Sequence, residues 1–236
     1  MKEKIYTVPV NDAFAADCEC PVCAMFEQLE NDAVEYTMGP SYMEDDIRAV
    51  TDKKGFCQKH IKKIYEQNNR LGYALVMKTH MDYVIKNIEK FKQDNGSGKG
   101  ILKKGKEASV CSYIDELSSS CFVCDKIADT IERYIDTIFY MYKHDNAFKA
   151  ALSGCKGFCT DHYGLLMKKA SEKLGGNEYT EFTELITLLY LDNMKRVRDD
   201  VEWFINKFDH KYADAPWKNA KDSLVRATLK DTGCRL

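Results

Sequence analysis

The sequence predicts an all-α fold, a helical bundle made of two duplicated halves, each organised around a Cys3His metal site. Three observations carry that expectation. The 236 residues include only 13 Gly and 4 Pro, too few for the dense turns of a β-sandwich or barrel. Apolar residues recur at steps of three and four, the period of a helix face. A pair of short Cys-containing motifs also returns about a hundred residues later.

The repeat is specific. Cys20-Pro21-Val22-Cys23 is answered by Cys121-Phe122-Val123-Cys124, 101 positions on. Gly55-Phe56-Cys57-Gln58-Lys59-His60 is answered by Gly157-Phe158-Cys159-Thr160-Asp161-His162, 102 positions on. The first half is expected over residues 1–93 and the second over 111–210, followed by a tail, 211–236, that either packs back on the bundle or mediates a contact. Between the halves, 94–110 holds Gly96, Ser97, Gly98, Gly100 and Gly105 among lysines and reads as a flexible linker.

The elements follow in order. Pro21 suits the first turn of a helix, where a missing N–H costs least, so Cys20 is expected at or near the N-cap and Cys23 one turn later. Val22, Phe26, Leu29, Ala33 and Tyr36 form the apolar face of that helix, and Gly39-Pro40 ends it. The second copy keeps the same face with Val123, Ile127, Tyr134, Ile138 and Tyr142, interrupted by Thr130. Each half closes on a long helix with a near-heptad seam: Tyr73, Met77, Met81, Val84, Ile88 and Phe91, then Tyr190, Met194, Val197, Val201, Phe204 and Phe208. Met and aromatic residues at this spacing predict bundle core rather than a cofactor box.

The chemistry rests on the cysteines. Each half offers Cys-x-x-Cys, then 33 or 34 residues, then Cys-x-x-His, a complete four-ligand set. A two-residue spacer lets one turn aim two ligands at a common point, and two such pairs close a tetrahedral site. The expected groups are Cys20, Cys23, Cys57 and His60, and Cys121, Cys124, Cys159 and His162. A thiolate-rich set favours zinc, cuprous copper or an iron–sulfur cluster over magnesium or calcium. Zinc, two per chain, is expected because Cys3His is a common closed structural set; two [4Fe–4S] clusters, serving electron transfer or sensing, are the alternative. A second alternative is a thiol switch that forms a disulfide at Cys20–Cys23 and releases metal. Cys20-Pro21-Val22-Cys23 has the form of a glutaredoxin-type site, but no strand of a βαβ unit precedes it, and Phe122 stands where the second copy would need proline. Cys18 and Cys155 are expected to be small, partly buried residues rather than fifth ligands; Cys111 and Cys234 lie near the linker and the terminus.

Other function classes find no support. Thirty-five Lys+Arg against 37 Asp+Glu give a net charge of −2, with no field to attract nucleic acid. No apolar run approaches the roughly 20 residues of a membrane span, and Met1–Val10 lacks the apolar core of a secretory signal, so a cytoplasmic location is expected. Neither His-Glu-x-x-His nor Glu-x-x-His occurs, and Gly96–Gly100 lacks the residues of a phosphate loop. His80, His144 and His210 are read as packing or helix-end residues. With no general base, and no nucleophile distinct from a ligand, the expectation is a binding or scaffold module with a protein partner, rather than an enzyme.

Several stretches carry a resemblance: Tyr6-Thr7-Val8-Pro9-Val10-Asn11, Cys18-Glu19-Cys20-Pro21-Val22-Cys23, Val34-Glu35-Tyr36, Gly39-Pro40-Ser41, Gly55-Phe56-Cys57 with His60, and Ala215-Pro216-Trp217. The chain resembles an uncharacterised bacterial family of paired CPxC…GFCxxH proteins, a domain of unknown function frequent in anaerobic Gram-positive bacteria. The resemblance implies a soluble cytoplasmic protein with two Cys/His clusters and no established activity. Phe122 departs from the family's CPxC and sets the two sites apart.

Overall fold

The computed structural model describes residues 5–96 and 103–234, with the backbone alone for 93–96 and 103–109. Among these residues the chain forms eleven α-helices and no strand. They are α1 (Thr7–Ala15), α2 (Pro21–Met38), α3 (Asp45–Lys54), α4 (Gln58–Glu66), α5 (Arg70–Gly96), α6 (Lys103–Ser119), α7 (Phe122–His144), α8 (Asn146–Gly154), α9 (Thr160–Lys173), α10 (Gly176–Asn206) and α11 (Ser223–Thr232). None is long and apolar enough to cross a membrane.

The chain divides into two compact units. One unit combines the chain up to Glu27 with the chain from Ile131 onward; the other is Gln28–Thr130. The boundaries fall inside α2 and α7, so each repeat contributes to both units. Of the stretch 94–110 expected as a linker, α5 runs to Gly96 and α6 begins at Lys103, while 97–102 lie outside the described residues.

The first unit is built on aromatic packing. Phe14 meets Phe148 edge-on at 5.0 Å and Phe158 at 6.3 Å, while Phe182 of α10 packs against Phe139 and Tyr142 of α7. Phe148, Phe158 and Phe182 are fully buried, and burial of each contributes on the order of 2 kcal/mol. α10 docks on α9 and α11. The tail packs back on α10: Trp203 Nε1 donates to the Pro216 carbonyl, and Lys207 Nζ reaches the carbonyls of Tyr212, Ala213 and Ala215.

In the second unit α5 docks on α3 and on the 3-10 turn Pro40–Met43, with Val34, Met38, Ile64 and Val76 in the core. Gly39-Pro40 ends α2 as expected. The long seams do not form the expected bundle core. Met81 is 55% exposed and Phe208 77%, and of the twelve seam residues only Val197 is buried. Each long helix docks through one face, for which Val76 in α5 and Phe182, Ile186 and Val197 in α10 are the anchors. A straight 3.6-residue helix drifts away from a seven-residue repeat, so the seam slides around the side of that face.

Candidate metal centres

The four motif pairs share one local geometry. Cys20, Cys57, Cys121 and Cys159 each precede the first residue of a helix, and their carbonyls accept the first intrahelical bonds, from Ala24, Ile61, Asp125 and Tyr163. The second ligand of each pair is then the third helical residue: Cys23, His60, Cys124 and His162. An N-cap side chain and a third-position side chain face the same point one turn apart, which is why a two-residue spacer suffices. Cys20 and Cys121 Sγ accept the N–H of Cys23 and Cys124, at 3.5 Å each. Each group thus gathers two helix N-termini, whose dipoles favour thiolate.

The glycine of each Gly-Phe-Cys is obligatory. Gly55 and Gly157 lie at φ 60° and 75°, a left-handed conformation that side chains resist. A Cβ on Gly55 would stand 2.7 Å from the His80 ring, and one on Gly157 2.8 Å from the Leu189 carbonyl oxygen. The turn before Cys57 or Cys159 is therefore pressed against the long helix of its own repeat.

All eight expected residues converge in two groups of four, but the groups are exchanged. Cys20 and Cys23 meet Cys159 and His162 (site A), while Cys121 and Cys124 meet Cys57 and His60 (site B). This corrects the expectation that Cys20 and Cys23 pair with Cys57 and His60, and Cys121 and Cys124 with Cys159 and His162. Helix lengths are consistent with this. α2, with 18 residues, is about 27 Å long and α3, with 10, only about 15 Å, so even a full reversal through α3 would stop short of Cys20. In the second repeat α7, with 23 residues, is about 35 Å long and α8, with nine, about 14 Å. Cys57 and His60 arrive beside the middle of α2, at Glu30, rather than at its start.

Site A is compact. His162 Nδ1 lies 3.2 Å from Cys23 Sγ, 3.2 Å from Cys159 Sγ and 3.5 Å from Cys20 Sγ, and Cys23 Sγ lies 3.6 Å from Cys159 Sγ. In site B His60 Nδ1 is 3.3 Å from each of Cys57, Cys121 and Cys124 Sγ, with Cys57 and Cys124 3.9 Å apart. Within each group every pair of donor atoms lies within 4.8 Å.

The surroundings differ. His60 Nε2 donates to Glu30 Oε1 at 2.9 Å, which leaves Nδ1 free as a ligand. Burial pushes the Glu30 carboxyl up, but hydrogen bonds from Lys59, Lys63 and His60 outweigh it and hold the group at about 2. His162 instead stacks on Phe26, with ring centroids 5.2 Å apart. The residue matching Glu30 by the 101-position shift is Ile131. Cys20, Cys23 and Cys159 are buried, and Gly233 after α11 lies over the group, a Cβ there reaching 3.6 Å from Cys159 Sγ. In site B Cys124 is exposed and Cys57 half-buried.

The protonation pattern is that of crowded acids. In site A, hydrogen bonds from Cys20 and Cys23 lower the Cys159 thiol, while contacts with Cys159 and Cys20, and then burial, raise Cys23. Burial pulls His162 down, but Cys159 and Cys20 draw it up to about 9. In site B, Cys57 is lowered against burial by backbone N–H groups and neighbouring thiols, and burial first, then Cys121 and Cys57, pushes Cys124 up to about 12. Four donors this close retain protons that a divalent cation would displace.

The remaining cysteines stay outside both groups. Cys18 Sγ contacts the Ala13 carbonyl, Cys155 Sγ accepts the Gly157 N–H, and Cys111 and Cys234 are exposed. His80 donates from Nδ1 to the Asp52 carbonyl, His144 packs at a tilt against Tyr140, and His210 lies at the surface beside Asp209.

Sequence reasoning missed Lys230. This lysine of α11 is 1% exposed, and its Nζ donates to the carbonyls of Glu19 and Lys156, the residues leading into Cys20 and Cys159, and pairs with Glu19 Oε2 at 3.3 Å. It ties together the two segments that supply site A. Glu30 was missed as well, since nothing in its spacing marks it.

Helices alone, with two convergent Cys3His groups, define the class: an all-α protein with two candidate metal centres. The chain belongs to the family of unknown function DUF6062, whose model matches residues 1–235. No curated protein and no solved structure matches it.

Proposed function

We propose that the protein binds two zinc ions, one in each exchanged Cys3His group, and that the metal is structural. The observation that carries this reading is the donor spacing. Zinc bonds of about 2.3 Å to sulfur and 2.0 Å to nitrogen require tetrahedral edges of about 3.8 Å between sulfurs and about 3.5 Å from sulfur to nitrogen. The separations of 3.2–3.5 Å from nitrogen to sulfur and of 3.6 and 3.9 Å between sulfurs match a single ion. A cubane cluster interposes its own irons and sulfides and needs its protein ligands farther apart than the 4.8 Å limit in either group.

Four protein ligands fill a tetrahedron and leave no position for a substrate water, which favours a structural over a catalytic role. Each ion would fasten a Cys-x-x-Cys helix start of one repeat to a Cys-x-x-His helix start of the other, so metal affinity contributes to folding. On this reading the chain is a cytoplasmic binding or scaffold module that acts through a protein partner. Metal and acid-labile sulfide analysis of untagged protein, purified without oxygen, tests it. Two zinc ions per chain in a colourless protein are expected; stoichiometric iron and sulfide would overturn the reading.

A further inference from the structure

Beside site A, a cleft of about 340 Å³ is lined by Glu19, Lys156, Arg196, Lys218, Asn219, Lys221, Asp222 and Arg226. Five of these side chains are cationic and two anionic, a local excess of positive charge in a chain whose net charge is −2. The volume suits a small metabolite.

The charges divide into paired and unpaired groups. Arg226 is held by Asp200 and Asp222 at 2.9 Å each, Arg196 by Glu19 at 2.5 Å, and Lys156 by Asp17. Two lysines have no carboxylate partner. Lys218 Nζ lies over the Trp203 ring, 4.1 Å from its centroid, and Lys221 makes no ion pair or hydrogen bond among the described residues. Lysine ammonium groups not engaged elsewhere are point charges suited to a phosphate group.

A second observation on the cleft wall also points to a ligand. Glu19 is 6% exposed, yet its Oε1 accepts no hydrogen bond, and Arg226 Nη1 stands 3.9 Å away. A buried carboxylate oxygen without a donor carries a desolvation cost that a ligand hydroxyl would relieve. The cleft therefore offers a cationic rim for an anion and a buried acceptor for a donor on the same molecule.

We infer that this cleft binds a small phosphomonoester bearing a hydroxyl, its phosphate held by Lys218 and Lys221 and its hydroxyl donated to Glu19 Oε1. Glu19 immediately precedes Cys20, and Lys230 holds both its carbonyl and its carboxylate, so occupancy would also brace site A.

The test is calorimetric titration of the full-length, metal-loaded protein with glycerol 3-phosphate, and separately with inorganic phosphate. One saturable site is expected, tighter for glycerol 3-phosphate, with affinity lowered at least tenfold in Lys218→Glu/Lys221→Glu. Both lysines are exposed, so the variant should keep its metal content and melting temperature, and these readings separate loss of the cleft from loss of site A. No saturable binding of glycerol 3-phosphate, affinity no higher than for inorganic phosphate, or undiminished binding by the double variant would overturn the inference. Since the titration reads ligand binding and the metal analysis reads composition, either can fail without the other.

Discussion

Sites A and B use the same donors at the same helix positions, yet they are held together differently. In site B the two incoming segments bond to each other directly: Phe122 N–H donates to the Gly55 carbonyl at 3.0 Å, and Ser120 Oγ to the Lys54 carbonyl at 2.6 Å. The matching residues in site A are Pro21, which has no N–H, and Glu19, which has no hydroxyl. Lys230 fills that role from outside the repeat, donating to the carbonyls of Glu19 and Lys156, and α11 with Gly233 covers the site. The duplication preserved the ligands while the clasp diverged. Site A has a buried lysine and the cover of α11; site B has a backbone clasp, a carboxylate behind its histidine and an exposed Cys124.

The largest difference is expected at Lys230. Lys230→Met leaves the Glu19 and Lys156 carbonyls without their donor and removes one of the cations around the buried Glu19 carboxylate, and should destabilise the unit holding site A by about 3–5 kcal/mol. Denaturant unfolding measures this, and a midpoint unchanged from wild type would break the proposed role of α11. Next is Glu30. Replacing a carboxylate that orients a metal-bound histidine typically costs 10- to 100-fold in affinity, so Glu30→Gln should weaken one of the two zinc ions by that amount and leave the other unchanged. Competition with a chromogenic chelator would show this as a split between two sites.

Reactivity should divide along the same line. Cys124 is exposed while the three cysteines of site A are buried. Hydrogen peroxide should therefore oxidise site B first: two of its thiolates form a disulfide, peroxide is reduced to water, and zinc is released. The first zinc should leave roughly tenfold faster than the second, the ratio set by about 1.4 kcal/mol of extra opening cost at the covered site. Peptide mapping that placed the first disulfide at Cys20–Cys23 would reverse the assignment. The smallest effect belongs to Ser120→Ala, which removes one clasp hydrogen bond and should cost about 1 kcal/mol in the unit holding site B.

Much of this was legible in the sequence, for identifiable reasons. A residue whose role is set by its immediate neighbours can be read locally: Pro21 marks a helix start, the spacing of Cys20 and Cys23 follows from N-cap geometry, and Gly55 and Gly157 recur because the turn demands them. The pairing of motifs was not legible. Both Cys-x-x-His pairs satisfy either partner chemically, and the choice is made by the fold, in which α3 and α8 are too short to retrace α2 and α7. The near-heptad on α5 and α10 suggested core, yet burial was decided by which face α3, α9 and α11 cover. Glu30 and Lys230 stand 30 residues from His60 and 211 from Glu19 and belong to no motif, so only the fold brings them to the sites.

The exchanged pairing is the central claim, and zinc stoichiometry in two double variants tests it most directly. Cys20→Ser/Cys159→Ser removes two ligands from site A alone and should leave one zinc per chain. Cys23→Ser/Cys57→Ser takes one ligand from each site and should leave none firmly bound. If instead each repeat held its own ion, the damage would reverse, with the first variant losing both ions and the second keeping one; that result would contradict the account.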